Sequence, residues 1–296
     1  MTDVDTLDKY VLCINECKSI TGAAEKMGIS QPAISSGLNS LEKKLGYNIF
    51  DRKKTPIVLT KEGQIYIEYV QAKIKLKKNL DSRIKDIADI GEKSITIGAP
   101  ATYMDTVLLQ AVDIYTKENK DCRIKLVEST VPSLSDKARV GDIDFFISTT
   151  KELPDQLVTE YISDEKIYLC VPKDYKVNGK QKSDKFDFSE ITDEGFIFLA
   201  PNQPLQQEVD RYFDELGITV KCTLEVDQTK TAMALAKMGK GIFFASKTVL
   251  GKGSSKLQVY NLPQKYFNRK LYVAYEKNKY ISKNIKRFIE ILKSVQ

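Results

Sequence analysis

The sequence contains no histidine, and this absence excludes several of the commonest kinds of functional site. Nucleophilic sites of the Ser-His-Asp and Cys-His types need an imidazole base, and many metal sites and pH switches also use one. No run of about 18 apolar residues occurs either, so no membrane-spanning helix is predicted. Residues 1–8 are acidic and polar rather than basic and then apolar, which argues against a secretory signal. We therefore expect a cytoplasmic protein without a membrane partner.

Cysteine is scarce, and the five thiols are scattered along the chain: Cys13, Cys17, Cys122, Cys170 and Cys222. Such a set, in a chain without an export signal, is typical of reduced, buried thiols. Cys13 and Cys17 lie one helical turn apart, but no second pair of ligands accompanies them, so zinc is not expected. The sequence also lacks a phosphate-binding loop, a nucleophile elbow and a dinucleotide fingerprint. It predicts no catalytic residue, no metal and no cofactor.

Positive charge is only mildly in excess, with a net charge of +6 and a pI near 8.8. Residues 1–60 are almost neutral, with eight basic and seven acidic side chains. Affinity for a nucleic acid would therefore depend on local clusters of charge. One such cluster is Arg52-Lys53-Lys54.

Residues 1–60 contain three short helical patterns. The second is predicted to begin with Thr21 as N-cap and to end at Gly28, and the third to begin with Ser30 as N-cap. Pro32 falls in the first turn of the third helix, where its missing N–H costs nothing. The apolar stripes of the first and third helices are Leu7, Tyr10, Val11 and Ile14, and Ile34, Leu38, Leu41 and Leu45.

Two short apolar runs, residues 48–52 and 57–59, flank a basic tip that contains proline, which predicts a β-hairpin. Thr60 then caps a long amphipathic helix that we expect to reach about Ile90. Because such a helix extends outside a compact core, its apolar stripe needs a partner, and a second copy of the chain is the simplest one. Packing on its own domain is the alternative.

From Ser94 onwards strands and helices alternate, which predicts parallel sheets. The pattern occurs twice, and the chain then returns towards the first set. This predicts a hinged, two-lobed body. We expect lobe I to comprise about residues 91–162 and 263–296, and lobe II about residues 163–262.

The segment from Thr21 to Ser35 has the features of two helices joined by a tight turn. Ala23 and Ala24 are small enough for the helices to cross closely, Gly28 permits the turn, and Ile29 can enter the core. At these positions the chain resembles the LysR-type transcriptional regulators. The similar segments are residues 23–24, 29–35, 41–46, 50–52 and 59–63, and more weakly residues 97–98, 141–144 and 239–242.

The resemblance implies an α+β multidomain fold in three parts. These are an N-terminal winged helix-turn-helix domain (residues 1–60), a linker helix for dimerisation (61–90) and a C-terminal two-lobed α/β effector domain similar to periplasmic binding proteins (91–296). It implies a sequence-specific regulator of transcription that responds to a small molecule bound between the lobes. The implied partners are a double-stranded DNA operator, the effector, RNA polymerase and further copies of the chain in a homodimer or homotetramer.

By the same resemblance, the third helix enters the major groove and Arg52 enters the minor groove from the wing. We expect Arg52→Ala to weaken operator binding without unfolding the protein. The implied DNA-binding residues are Thr21, Ser30, Gln31, Pro32, Ser35, Ser36, Asn39, Arg52, Lys53 and Lys54. This chain has Ser36-Gly37 where the family often has a basic or large polar residue, which shifts the expected affinity towards the wing.

The implied effector site lies at strand-to-helix turns, where free N–H groups favour a carboxylate. Its expected residues are Pro100, Ala101, Thr102, Thr130, Ser148, Thr149, Pro201, Asn202, Gln203 and Asp227. For each hydroxyl residue, simple helix capping is the alternative role. The turn at Gln203-Pro204-Leu205 departs from the small hydroxyl residues and glycine that relatives often have, so the ligand of this chain can differ.

Three other functions fit the sequence less well than regulation does. An enzyme is disfavoured because no catalytic motif is present. A solute-binding protein fits residues 94–296 alone, but the DNA-binding head argues against it. A redox sensor would need a cysteine pair in the body, and Cys170 and Cys222 lie far apart in predicted strands.

Overall fold

The computed structural model describes residues 6–88, 93–175, 188, 194–250 and 255–295. The chain divides into two compact units, Met1–Gly91 and Glu92–Gln296, and each is considered by itself. In the described part of the chain, no helix is long and apolar enough to cross a bilayer.

The first unit is a small helical head followed by one long helix. Its buried residues include Val11, Ile14, Ile34 and Leu38, so the predicted apolar stripes of the first and third helices face its core. The hairpin is present, with Phe50 opposite Leu59. The elements are α1 Thr6–Cys17, α2 Ile20–Met27, α3 Gln31–Leu45, β1 Phe50–Asp51, β2 Val58–Leu59 and α4 Lys61–Ala88.

The helix caps differ in part from those predicted. Ser19, not Thr21, is the N-cap of α2, since its side chain accepts a hydrogen bond from the backbone N–H of Gly22 at 3.2 Å. Thr21 therefore lies within the first turn. Ser30 occupies the N-cap position of α3, but its side chain makes no capping hydrogen bond there. Thr60 caps α4 as predicted, because its Oγ1 accepts from the N–H of Gly63 at 2.8 Å.

The start of α4 is fixed against the head. A Cβ atom at Gly63 would lie 1.9 Å from the carbonyl oxygen of Ile49, so only glycine permits this approach of two backbones. Further along, the buried carboxylate of Asp8 accepts a hydrogen bond from the Tyr66 hydroxyl at 2.7 Å and pairs with Lys73 Nζ at 3.0 Å. These contacts join α1 to the first four turns of the long helix.

The second unit consists of two lobes that share one sheet. It begins with β3 Lys93–Ala99, after which one nearly continuous helical stretch follows as α5 Ala101–Tyr103, a π-helical turn Met104–Leu108 and α6 Leu109–Glu118. The remaining elements are β4 Cys122–Glu128, α7 Val131–Val140, β5 Phe145–Ser148, β6 Leu157–Pro172, β7 Gly195–Leu199, α8 Pro204–Leu216, β8 Lys221–Val226, α9 Thr229–Lys237, β9 Phe243–Ser246, α10 Lys247–Leu250, β10 Leu257–Asn261, α11 Gln264–Phe267, β11 Asn268–Glu276 and α12 Lys283–Ser294.

The sheets are mixed, whereas alternation of strands and helices predicted parallel ones. β3 runs parallel to β4 and β5, and β7 runs parallel to β8, as expected. β6 and β11 instead run antiparallel to their neighbours. β6 also begins at Leu157, ten residues before the apolar run at residues 167–171 that predicts a strand, because its first half pairs with β11.

These two long strands carry the chain between the lobes. The lobe I core contains Ile162 and Leu271, and the lobe II core contains Ile167 and Phe267. The chain therefore crosses at about residues 163–166 and again at about 268–270. The sequence predicted that the chain returns to lobe I at residue 263, and the second crossing falls five residues later. The reason is that Phe267 packs among the aromatic side chains of lobe II, where its ring centroid lies 4.8 Å from that of Tyr212.

Candidate functional site

The turn between α2 and α3 follows from three small or flexible residues. Ala23 and Ala24 are buried where the helices meet. Gly28 ends α2 with a φ of 66°, a left-handed conformation that favours glycine. The next N–H, of Ile29, donates to the carbonyl of Ala24 at 3.1 Å, and its side chain packs on the head core. The turn thereby presents the first residues of α3 at the surface.

The outer face of α3 is polar and accessible. Gln31, Ser35 and Asn39 are spaced by four residues and so lie along one face. Ser35 is half-buried, and the other predicted DNA-binding residues of α2 and α3 are exposed: Thr21, Ser30, Gln31, Pro32, Ser36 and Asn39. The buried stripe of the same helix packs on the head core and thereby holds this face at the surface.

Gly37 has a packing role that the sequence did not reveal. A Cβ atom there would lie 2.8 Å from Cε2 of Tyr10 and 3.1 Å from Cδ2 of Leu7. The glycine therefore accommodates α1 and lies on the side of α3 that faces the head. Only Ser36, of the pair Ser36-Gly37, belongs to the exposed face.

In the wing, Arg52 is tied to the head by a buried carboxylate. Glu42 in α3 is buried, and its Oε1 accepts the backbone N–H groups of Ile49 at 2.7 Å and Phe50 at 3.2 Å. Its Oε2 forms a salt bridge with the Arg52 guanidinium. Arg52 is thus both an exposed wing residue and the counter-charge of a buried acid. Lys53 and Lys54 are exposed at the hairpin tip.

A cavity of about 670 Å³ lies between the lobes of the second unit. This volume lies within the range of small-molecule sites. The strand-to-helix turns of both lobes line it. The lining residues are Pro100, Ala101, Thr102, Tyr103, Glu128, Ser129, Thr130, Val131, Pro132, Thr149, Leu199, Asn202, Gln203, Pro204, Leu205, Asp227, Gln228, Thr229, Ser246, Val249 and Arg269.

The cavity brings together most of the residues expected at an effector site, and two stand apart from its lining. The Ser148 side chain is fully buried, and its hydroxyl is engaged with the backbone of Thr150, at 2.9 Å to the oxygen and 3.1 Å to the nitrogen. Pro201 is exposed, and its carbonyl accepts a hydrogen bond from Gln207. The lining includes Pro100, Ala101, Thr102, Thr130, Thr149, Asn202, Gln203 and Asp227.

A buried ionic cluster at the base of the cavity was not predicted. Arg269 contacts Glu208 Oε1 through Nε at 3.2 Å and donates to Thr149 Oγ1 at 3.1 Å. Its partner across the strand pair is Glu165, which accepts a hydrogen bond from the Tyr103 hydroxyl at 2.6 Å. No local pattern marks Arg269, because it follows an asparagine and precedes a lysine in an ordinary polar stretch.

Burial governs the ionisation of this cluster. Removal from water raises the pKa of Glu208, and Arg269 opposes the rise. Burial likewise raises the pKa of the Tyr103 hydroxyl well above its ordinary value, so this group is a neutral donor. One carboxylate oxygen of each acid, Glu165 Oε1 and Glu208 Oε2, is buried without a hydrogen-bond partner among the described residues.

The thiols are only partly buried as predicted. Cys122 and Cys170 are buried, and Cys13 and Cys17 are half-buried. Cys222 is exposed, because it lies in β8, whose first five residues all face solvent. Burial raises the pKa of the Cys170 thiol, which disfavours the reactive thiolate.

Two family models match the chain. The one described as "Bacterial regulatory helix-turn-helix protein, lysR family" matches residues 8–64, and the one described as "LysR substrate binding domain" matches residues 90–296. Together they define a DNA-binding regulator of transcription with a C-terminal substrate-binding domain. The chain belongs to the LysR family, whose members are regulators and not enzymes.

Individual relatives are similar over nearly the whole chain. The HTH-type transcriptional regulator BenM of Acinetobacter baylyi is 26% identical over 260 residues, which cover 86% of this chain and 82% of the relative. The uncharacterized HTH-type transcriptional regulator YybE of Bacillus subtilis is 24% identical over 276 residues, 93% of this chain and 92% of the relative. The crystal structure of full-length CbnR complexed with its target DNA shares the fold, with 18% identity and a TM-score of 0.62. The similarity covers 98% of this chain and 99% of the CbnR chain. The expected fold class, regulator function and family are therefore confirmed.

Proposed function

We propose that the head binds a double-stranded DNA operator with α3 in the major groove and the wing on the flanking backbone and minor groove. The observation that carries this proposal is the exposed polar face of α3, which the buried stripe of the same helix holds in place. Side chains of this kind reach base edges, whereas lysines at the wing neutralise phosphates. The contacting residues are Thr21, Ser30, Gln31, Pro32, Ser35, Ser36, Asn39, Arg52, Lys53 and Lys54.

The long helix supports assembly of the chain into a homodimer or a homotetramer. Tyr66 and Val70 face the head core, but the apolar residues of its outer stripe are exposed, with Leu76 at 71% and Ile87 at 86%. Burying this stripe against a second copy removes apolar surface from water and sets two heads side by side. The stripe consists of Ile65, Tyr69, Leu76, Leu80, Ile84 and Ile87.

In this proposal residues 1–60 bind DNA, residues 61–90 form the dimerisation helix, and residues 91–296 bind the effector. A small molecule, carrying a carboxylate, occupies the cavity between the lobes and shifts the population between two arrangements of the heads. The change is transmitted to RNA polymerase in the cytoplasm. The residues that line the cavity support this role, and Arg269 joins those expected from the sequence.

The experiment that tests DNA binding uses a fluorescent duplex from the DNA just upstream of the chain's own gene. Titration of the full-length protein by anisotropy is repeated at several salt concentrations. Lys54→Gln, at the wing tip, should lower the affinity and reduce the slope of log K against log salt by about 1, since one phosphate contact is lost. Lys85→Gln makes the same charge change on α4, outside the proposed surface, and serves as the control. Equal effects of the two variants would refute the wing assignment.

A further inference from the structure

The charges that line the cavity are not those of a simple anion site. In the described part of the lining, three side chains are charged: Arg269, Glu128 and Asp227. Arg269 is nearly buried, with 11% of its side chain exposed, whereas the two acids are exposed. Glu128 is the last residue of β4 and Asp227 is the first residue after β8, so each lobe contributes one of the acids. A ligand in this cavity meets one cation at the base and a carboxylate from each lobe nearer to solvent.

The base offers a hydrogen-bond donor to the ligand. A guanidinium group has five N–H donors in a planar fork. The contacts of Arg269 with Glu208 and Thr149 use only part of this set, and the side chain still lines the cavity. Arg269 is therefore suited to bind an anionic or other acceptor group, a carboxylate above all.

The surrounding charge requires the same ligand to carry a positive group. Glu165 and Glu208 flank Arg269, and each leaves one buried oxygen without a described partner. With Glu128 and Asp227, four acidic side chains lie in the cavity lining or next to it, against two guanidinium groups, that of Arg269 in the lining and that of Arg211 near Glu208. Lys230, beside the lining residue Thr229, is already paired with Asp105. A carboxylate ligand without a cationic group would enter a cavity with excess negative charge, which costs free energy in a partly desolvated site.

We propose that the effector of this chain is a zwitterion of the amino-acid type, whose carboxylate lies on Arg269 and whose ammonium group lies between Glu128 and Asp227. This inference rests on the proposed effector cavity and names the chemical class of its ligand. The ammonium group supplies donors to one acid from each lobe, so its binding favours the arrangement in which the two lobes approach each other. Ligands with the carboxylate alone or the amine alone satisfy only one end of the cavity.

The test is binding to the full-length protein, measured by the shift in unfolding temperature and then by calorimetry. The probes are the twenty standard L-amino acids, their 2-hydroxy acid analogues that lack the amino group, and the corresponding amines that lack the carboxylate. We expect at least one amino acid to bind, and its two analogues to bind at least about tenfold more weakly. The double variant Glu128→Gln/Asp227→Asn should weaken binding of that amino acid about fivefold to tenfold, as expected for two partly exposed ion pairs.

The matched control is Glu152→Gln/Asp155→Asn, which removes the same charges from exposed residues outside the lining. It should leave the affinity unchanged. Equal binding of the hydroxy acid and the amino acid, or equal affinities of the two double variants, would overturn the zwitterion while leaving an effector cavity for carboxylates. A panel without any bound amino acid would also overturn it, and DNA binding by the same protein sample would then show that the regulator function stands separately.

Discussion

Three glycines in helices of the head provide a graded test of how closely its elements approach one another. A Cβ atom would lie 3.5 Å from its nearest neighbour at Gly22, 2.8 Å at Gly37 and 1.9 Å at Gly63. At Gly22 this is ordinary contact, at Gly37 the neighbour is the Tyr10 ring, and at Gly63 it is the backbone carbonyl of Ile49. Alanine in place of glycine stabilises a helix interior by about 1 kcal/mol when nothing intervenes. The three substitutions should therefore differ in sign.

For Gly63→Ala the steric term dominates. Because the neighbour is a backbone carbonyl, helix α4 would have to move away from it by more than about 1 Å. Overpacking that forces such a backbone shift costs roughly 1–3 kcal/mol. The Ile49 carbonyl also accepts the N–H of Thr60 at 3.0 Å, so the movement disturbs the cap of α4, worth about 1 kcal/mol. Against the gain in helix propensity, we expect a net loss of about 2–3 kcal/mol. Gly37→Ala should lie near zero or cost about 1 kcal/mol because the Tyr10 side chain can move.

The assay is amide hydrogen exchange of the full-length protein, followed by mass spectrometry of peptides from the head, which isolates its stability from that of the larger unit. Gly63→Ala should speed exchange in α1 and α3 by about 30-fold or more, because each 1.4 kcal/mol changes an equilibrium tenfold. Gly22→Ala should slow it or leave it unchanged. Equal protection in these two variants would refute the close approach of α4 to the wing.

The remaining predictions concern the wing, the lobes and assembly. Glu42→Gln should destabilise the head by about 1–2 kcal/mol, because the buried charge-assisted pair with Arg52 is lost. In the Glu42→Gln background, Arg52→Ala should cost less stability than it does in the wild type. Equal costs in the two backgrounds would show that the two side chains are not coupled. Because burial raises the pKa of Glu208, its contribution to stability is fully present below the ordinary pKa of a glutamate and is lost as pH rises through the raised value. The unfolding temperature of the wild type minus that of Glu208→Gln should thus fall from pH 4 to pH 7, and parallel curves would contradict this. Leu76→Arg places a charge in the exposed apolar stripe of α4 and should weaken self-association in analytical ultracentrifugation. Gln64→Arg places the same charge on that helix outside the stripe and should leave self-association unchanged. If both variants assemble like the wild type, the interface lies elsewhere.

Much of the head was predictable because its signals are local. Small residues at Ala23 and Ala24, the turn at Gly28 and the apolar period of α3 each act within a few residues, and together they indicate the helix-turn-helix and its outer face. The cap of α2 was misplaced by two residues, because Ser19 and Thr21 are both good N-cap residues and only the backbone geometry at Ser19 separates them. The role of Gly37 depends on Tyr10 in another helix, which no local pattern records.

The family, the general order of the elements and eight of the residues that line the cavity were predictable from the sequence, because these eight lie at strand-to-helix turns with recognisable signals. The charge of that cavity, by contrast, depends on contacts between residues that are distant in the sequence. Arg269 and Thr149 are 120 residues apart in the chain, and they meet because β11 returns beside β5 and β6. The same return brings Arg269 opposite Glu165 and within reach of Glu208. Such long-range pairs leave no periodic trace in the sequence, because each partner alone looks like one more charged residue on a polar stretch.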